Sequence, residues 1–324
     1  MIIIDSNFHE IGEADIDIDC EFGTSEDATN DFQLMNATIQ DAKTADGFYI
    51  PGTEIGGRFE YSKDKSEENA ALLRGYTWRG ILSQDVILPD VGEDYKIVTG
   101  EANAVISSIM AGRFGGVFSV SAEDSGLTIT DYQFPLYINV LDGIEGMLES
   151  FSYKLRIKAF KSASGQPITI ELSAAPATVL TGTMNNDSPV PLTYIDDNMG
   201  INHLICGGSG ELQNRMIRHL YIDDQGEISQ TPFYTGFKER TKFFDYPNAE
   251  SESDLIDSGI KELKELASKK ELGFKVPEDA NLEIGDIITA VFPNGMTVQS
   301  PIVSKIYKIV GGLTSTEYKV KGEY

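Results

Sequence analysis

The chain has 324 residues, enough for two or three domains and a sizeable core. Its 51 Asp and Glu against 26 Lys and Arg leave a formal net charge of -25, which argues against binding nucleic acid through its phosphates and against docking on an anionic membrane face. The apolar fraction of 41% is ordinary for a folded soluble protein. No window approaches the ~20 apolar residues of a membrane span. Two isolated cysteines, Cys20 and Cys206, make no disulfide framework. The opening MIIIDSNFHE lacks the basic segment and long apolar stretch of a signal peptide.

Ala14 to Phe22, ADIDIDCEF, alternates strictly: Ile16, Ile18 and Cys20 face one way, and Asp15, Asp17, Asp19 and Glu21 the other. That period marks a half-buried strand. Asp31 to Met35 is a second strand candidate, and Gly47 to Thr53 a third, stopped by Pro51 and Gly52. Gly57 to Tyr61 and Ala70 to Trp78 follow, with the charged loop Ser62 to Asn69 between them as a hairpin end. Ile81 to Leu88 is another apolar run, closed by Pro89 and Asp90. Many short strands with turn signals roughly every 8 to 12 residues predict a barrel or sandwich.

The character changes near Gly100. Ala102 to Met110 places Val105, Ile106, Ile109 and Met110 on one helical face, with Gly112 as a stop. Val117 to Val120 and Leu127 to Tyr132 resume strand character. Leu141, Ile144, Leu148 and Phe151 predict a second amphipathic helix. Tyr153 to Phe160 and Pro167 to Leu172 are strands split by Ser164-Gly165, and Thr181 to Pro191 reads as a linker or long loop. Asn202 to Gln230 then gives a short apolar run, the glycines 207, 208 and 210, a longer run, and a DDQGE turn. Ser251 to Asp254 fits a capping box before a helix to about Lys270, with Ile256, Ile260, Leu263 and Ala267 as its stripe. Asp286 to Phe292 and Met296 to Val298 flank Asn294-Gly295, a strong hairpin signal. Ile302 to Val310 and Thr314 to Val320 form another hairpin around Gly311-Gly312.

The candidate chemistry is thin. After Gly207-Gly208-Ser209-Gly210 a phosphate loop needs Lys-Ser/Thr, and here Glu211 and Leu212 follow; a carboxylate there has the wrong sign. His203, Cys206 and His219 invite a metal reading, but on a strand His203 and Cys206 point to opposite sides. The third histidine is His9. Asp15, Asp17 and Asp19 are hard-cation ligands by type, yet same-face strand neighbours stand about 7 Å apart, which favours a solvated face. Trp78, in TWRG beside Arg79, is either a core residue at a strand end or an interface anchor. No nucleophile elbow, His-Glu-x-x-His helix or Cys-His nucleophile is present. The residues themselves thus nominate no catalytic, cofactor-binding or metal site and no cofactor.

Five segments in order carry a resemblance: GFYIPGTEIGG (Gly47 to Gly57), YTWRGILSQDVILP (Tyr76 to Pro89), the EANAVISSIM helix, NHLICGGSGELQNRMIRHLYIDDQGEISQTPFYTGFKERTKFFDY (Asn202 to Tyr246), and EIGDIITAVFPNGMTVQSPIVSKIYKIVGG (Glu283 to Gly312). Together they resemble the tail hub family of siphophages and prophages of Gram-positive bacteria, related in fold to contractile-phage hubs and type VI secretion spike bases. The resemblance implies a β-rich α+β fold with two tube-like β-barrel domains and smaller α/β decorating domains. The expected division is a first barrel over 1–98, an α+β insertion over 99–200, and a second barrel over 201–324 with a helix near 251–270. It further implies a homotrimer in the virion tail tip, with the tail tube or distal tail protein above it, a spike, fibre or tip protein below it, and no membrane anchor. DNA would pass through an acidic lumen without binding. Many members carry C-terminal peptidase or cell-wall hydrolase extensions; this sequence ends just after its last strand signal, so no enzymatic activity is expected. The competing expectation is a cell-wall carbohydrate-binding or glycoside-hydrolysing tail protein, which needs a cleft with facing carboxylates flanked by aromatics.

Overall fold

The computed structural model describes residues 1–24, 27–38, 44–65, 70–161, 165–183, 192–224, 226–249, 251–274, 282–291 and 297–321. The Asn294-Gly295 turn, residues 184–191 of the expected linker, residues 66–69 of the charged loop, Ser164 and Gln225 lie outside these. The chain divides into two compact units, one of residues 1–191 and 275–321, the other of residues 192–274 with 322–324.

The first unit begins with seven strands: β1 (Ile2–Ile4), β2 (Glu10–Glu13), β3 (Asp17–Gly23), β4 (Asp31–Thr38), β5 (Gly47–Tyr49), β6 (Gly56–Lys65) and β7 (Ala70–Thr77). A short helix α1 (Trp78–Leu82) follows, then β8 (Ile97–Glu101), α2 (Ala102–Met110), β9 (Phe118–Val120), β10 (Thr128–Gln133), α3 (Val140–Glu149), β11 (Tyr153–Phe160), β12 (Thr169–Pro176) and β13 (Val179–Thr183). The second unit holds β14 (Leu192–Asp197), β15 (His203–Gly207), β16 (Ile217–Ile222), β17 (Ile228–Ser229), β18 (Thr241–Asp245), α4 (Glu252–Leu266) and β19 (Lys269–Phe274). The chain then returns to the first unit with β20 (Ile287–Val291), β21 (Thr297–Val310) and β22 (Leu313–Val320).

One 11-stranded sheet dominates the first unit, in the order β13-β20-β21-β3-β4-β7-β6-β5-β1-β2, with β22 beside β21. The molecule is thus β-rich α+β. The ladder is open: no sheet closes into a barrel among the described residues, where two closed barrels were expected. The physical reason lies in β21. Its 14 residues unite what read as two separate strands, and they serve three neighbours: Thr297 to Pro301 pair with β20, Ile302 to Val310 with β22, and Ser304 to Ile309 with β3. Sequence positions near 20 and near 305 therefore share one sheet. The β21–β22 turn uses Gly311 (φ 58°) and Gly312 (φ 78°), the left-handed pair such a hairpin needs. At the other edge, β2 is a four-residue strand with two glutamates, Glu10 and Glu13, a short charged edge that discourages further pairing.

The alternation in β3 works as its period dictates: Ile18, Cys20 and Phe22 are buried, and Phe32, Phe48 and Phe59 pack edge-on and stacked behind them with centroids 4.7 to 6.2 Å apart. The run from Ile81 is not a strand. Thr77 caps a helix there, its hydroxyl accepting from Gly80 N (3.2 Å) and donating to Asn30 O (3.0 Å). Trp78, Ile81 and Leu82 enter a single apolar cluster that runs from Ile2, Ile4 and Tyr49 to Ile106, Ile144 and Leu172, so residues on both sides of position 98 share a core. Helices α2 and α3 pack over this cluster, capped by Glu101 and Asn139.

Two buried cations cross-link these elements. Arg79, at the start of α1, donates to Glu54, to Glu145 of α3 and to the Leu155 carbonyl of β11 (3.1 Å). Its side chain is 1% exposed, those of Glu54 and Glu145 12% and 14%. Lys154 of β11 meets Asp286 at 2.6 Å and Glu283 at 2.7 Å. Asp286 also accepts from Thr178 N and Glu283 N, and Arg156 adds a second contact to Glu283.

Removing Arg79 leaves Glu54 and Glu145 enclosed without the cation that donates to both. Arg79→Ala is expected to destabilise the first unit by about 3–5 kcal/mol, read as a fall in urea midpoint from the fluorescence of Trp78, the chain's single tryptophan. The cluster also sets a pH dependence. Burial, partly offset by Arg79, pushes Glu145 up from an ordinary 4.5 to about 8. A raised folded value gives stability that is full below about 4.5 and is lost as pH rises through about 8. Glu101 acts oppositely: burial opposes its charge, but hydrogen bonds from Ser125, Asn103 and Ala104 hold it at about 2, so its contribution is lost only as pH falls towards that value. A Trp78 unfolding series from pH 5 to 9 should show falling stability, and Glu145→Gln should flatten the slope.

Candidate functional site

The second unit assembles most of the polar residues that the sequence singled out. Its four-stranded sheet, β17-β16-β15-β18, is covered on one face by α4. Ser251 caps that helix, accepting from Asp254 N at 3.1 Å. The buried stripe is Leu255, Gly259 and Leu263: Leu263 is as expected, while Leu255 and Gly259 stand one position before the expected Ile256 and Ile260, which lie on its flank. Gly259 lets the helix approach the sheet: a Cβ there would lie 2.5 Å from Cys206 Sγ. Burial pushes the Cys206 thiol up to about 11, which leaves it protonated and inert, a small core residue.

The glycine loop is filled by its own chain. Arg215 donates Nε to the Gly208 carbonyl and Nη2 to the Gly207 carbonyl, both at 3.1 Å, and pairs with Asp245. Gly208 N and Met216 N close the hairpin at 2.8 and 2.9 Å. Gly210 has a φ of 97°, and a Cβ there would meet Asn214 O at 2.4 Å. The loop turns carbonyls towards a resident guanidinium, and a phosphate cradle needs N–H groups. It is a tight joint between strands.

The sheet register moves Cys206 away from His203 and brings His219 to it. His203 lies opposite Tyr221 on β16 and Thr241 on β18; Ile205 lies opposite His219. His203 Nε2 stands 2.8 Å from His219 Nδ1, and His203 Nδ1 stands 2.6 Å from Glu239 Oε1 and 3.0 Å from Thr241 Oγ1. Tyr221 stacks on His203 with centroids 4.3 Å apart. His203 and His219 were both candidates from the sequence, but their adjacency and the part of Glu239 were not legible there. The available signal was parity: in a strand-loop-strand unit, odd-numbered residues of β15 and β16 share the open face.

In the first unit, the acidic ladder lies on the polar face of the large sheet. Lys308 meets Asp19 at 3.0 Å, Lys319 meets Glu21 at 2.7 Å, and Asp17 accepts from Gly311 N. Arg58 pairs with Glu60, and Arg74 donates to Gln33. A depression of about 310 Å³ sits there, lined by Asp19, Glu21, Thr29, Asp31 and Arg74 among others. Burial raises Glu21, but hydrogen bonds from Lys319, Thr29 and Ser304 outweigh it and hold the carboxyl below its ordinary value. That is the wrong direction for a general acid. Trp78 is fully buried, and its indole N–H has no hydrogen-bond partner. His9 belongs to the first unit, 3.7 Å from Asp5.

No family model matches the chain, and no curated protein does. Solved structures align along almost its whole length, among them the following three. A tail protein from Neisseria meningitidis MC58 has 11% identity and a TM-score of 0.41, covering 97% of this chain and 93% of that one. The 43 kDa tail protein of prophage MuSo2 from Shewanella oneidensis has 10% identity and a TM-score of 0.41, covering 96% and 95%. A chain of the phage P2 baseplate in its activated conformation has 10% identity and a TM-score of 0.45, covering 98% and 97%. Likenesses of this size assign no function to the chain.

Gly259→Ala would force the helix off Cys206 and is expected to cost about 1–3 kcal/mol. Hydrogen exchange should show faster amide exchange in β15, β16 and α4, with Trp78 fluorescence unchanged.

Proposed function

We propose that this chain is a structural, non-enzymatic phage tail hub: a homotrimeric ring in the virion tail tip that joins the six-fold tail tube to a three-fold tip, spike or fibre. The observation that carries this is the polar face of the 11-stranded sheet. It is a broad wall in which Lys308, Lys319, Arg58 and Arg74 are each engaged by a neighbouring side chain. Such a wall offers a passing polyanion little to hold, and the net charge of -25 adds repulsion. The ordered resemblance to tail hub proteins supports the same reading. In it, the large open sheet supplies a wall of the channel in the assembled ring. The carbohydrate-active alternative has only the shallow acidic depression to rest on, and Glu21 there is held in the ionised direction.

Sedimentation or light scattering over rising concentration should reach three chain masses, and duplex DNA should show no retention at physiological salt. A strict monomer at the highest concentrations, or salt-sensitive DNA binding, would count against the proposal.

A further inference from the structure

We propose that His203 and His219 form a binding site for a divalent transition metal, of the class Zn²⁺, Ni²⁺ or Cu²⁺, on the open face of the sheet in the second unit. Three observations carry it. First, the spacing fits. Two nitrogens bound at about 2.0–2.1 Å to one tetrahedral or square-planar ion lie roughly 2.9–3.3 Å apart. His203 Nε2 and His219 Nδ1 are 2.8 Å apart, so a small opening of the pair admits an ion in place of the hydrogen bond. Second, His203 is already oriented as a ligand. Glu239 Oε1, 2.6 Å from Nδ1, favours the proton there and leaves the lone pair on Nε2; carboxylate support of this kind raises ligand basicity and holds the ring. Thr241 Oγ1 at 3.0 Å and the stacked Tyr221 ring restrict it further. Third, access is one-sided. His203 is 7% exposed, whereas His219 is open to solvent and can turn its ring towards an arriving ion.

The bonds balance simply. The ion accepts the lone pairs of His203 Nε2 and His219 Nδ1. The proton shared between them moves to His219 Nε2 if the pair is neutral, and to solvent if the pair carries an extra proton. No third His, Cys, Asp or Glu joins them among the described residues, so water completes the shell and the metal is exchangeable. Cys206 takes no part, since it faces α4.

The test is titration of the full chain with Cu²⁺ and Zn²⁺, with calorimetry for Zn²⁺ and electron paramagnetic resonance for Cu²⁺. The expected result is one site per chain with two-nitrogen superhyperfine structure. His219→Ala, an exposed substitution checked for folding by circular dichroism, should abolish it. Glu239→Gln should weaken binding by about 10–100-fold while keeping both nitrogens. Equal binding in wild type and His219→Ala, or no binding at millimolar metal, would overturn the proposal.

Discussion

A guanidinium with 1% of its surface exposed sits between Glu54 and Glu145, and the first unit is arranged around it. Taking such a group out of water costs several kcal/mol, and the attraction of its partners must offset that cost. Arg79 gathers the turn after β5, the start of α1, helix α3 and the β11 carbonyl into one cluster. Lys154 repeats the scheme at the junction of β11 with the returning chain, through Asp286 and Glu283. Each buried cation has two acids. Part of the acidic composition is therefore internal, and burial, which raises Glu145 to about 8, keeps that acid uncharged at neutral pH. Such clusters are poor sources of net stability, but they penalise any other arrangement of the elements they join.

The local periods carried much of the fold. The alternation of β3, the helix at Ala102 to Met110 and the glycine turn after Val310 all follow from residue spacing. What spacing does not encode is long-range register. Nothing near Ile302 announces that its strand continues from Thr297 and pairs with a strand near position 20. The apolar run from Ile81 misled for a local reason: a Thr77 cap converts its beginning into helix, and apolar content alone does not separate the two. The one-residue offset in the first half of the α4 stripe has a packing cause, because the tightest approach to the sheet is made at Gly259, a residue with no side chain to register.

The second unit shows the same limit at the level of chemistry. Judged by sequence separation, His203 and Cys206 were the pair to weigh, and strand geometry correctly set them on opposite faces. The partner that matters, His219, is 16 residues away and becomes a neighbour only through hairpin register. Glu239 arrives from a third segment. The glycine loop between them serves the hairpin, with Arg215 occupying the space in which a ligand would have to sit.

We propose that this fold is built for assembly, as a sheet pinned by buried ion clusters whose polar face lets DNA pass. Electron microscopy of the purified chain, alone or with the tail tube protein, tests it most directly. The expected result is three-fold rings with an open axial channel lined by the face that carries Asp19, Glu21 and Lys308. Compact single-chain particles that form no ring even with the tube protein present would contradict it.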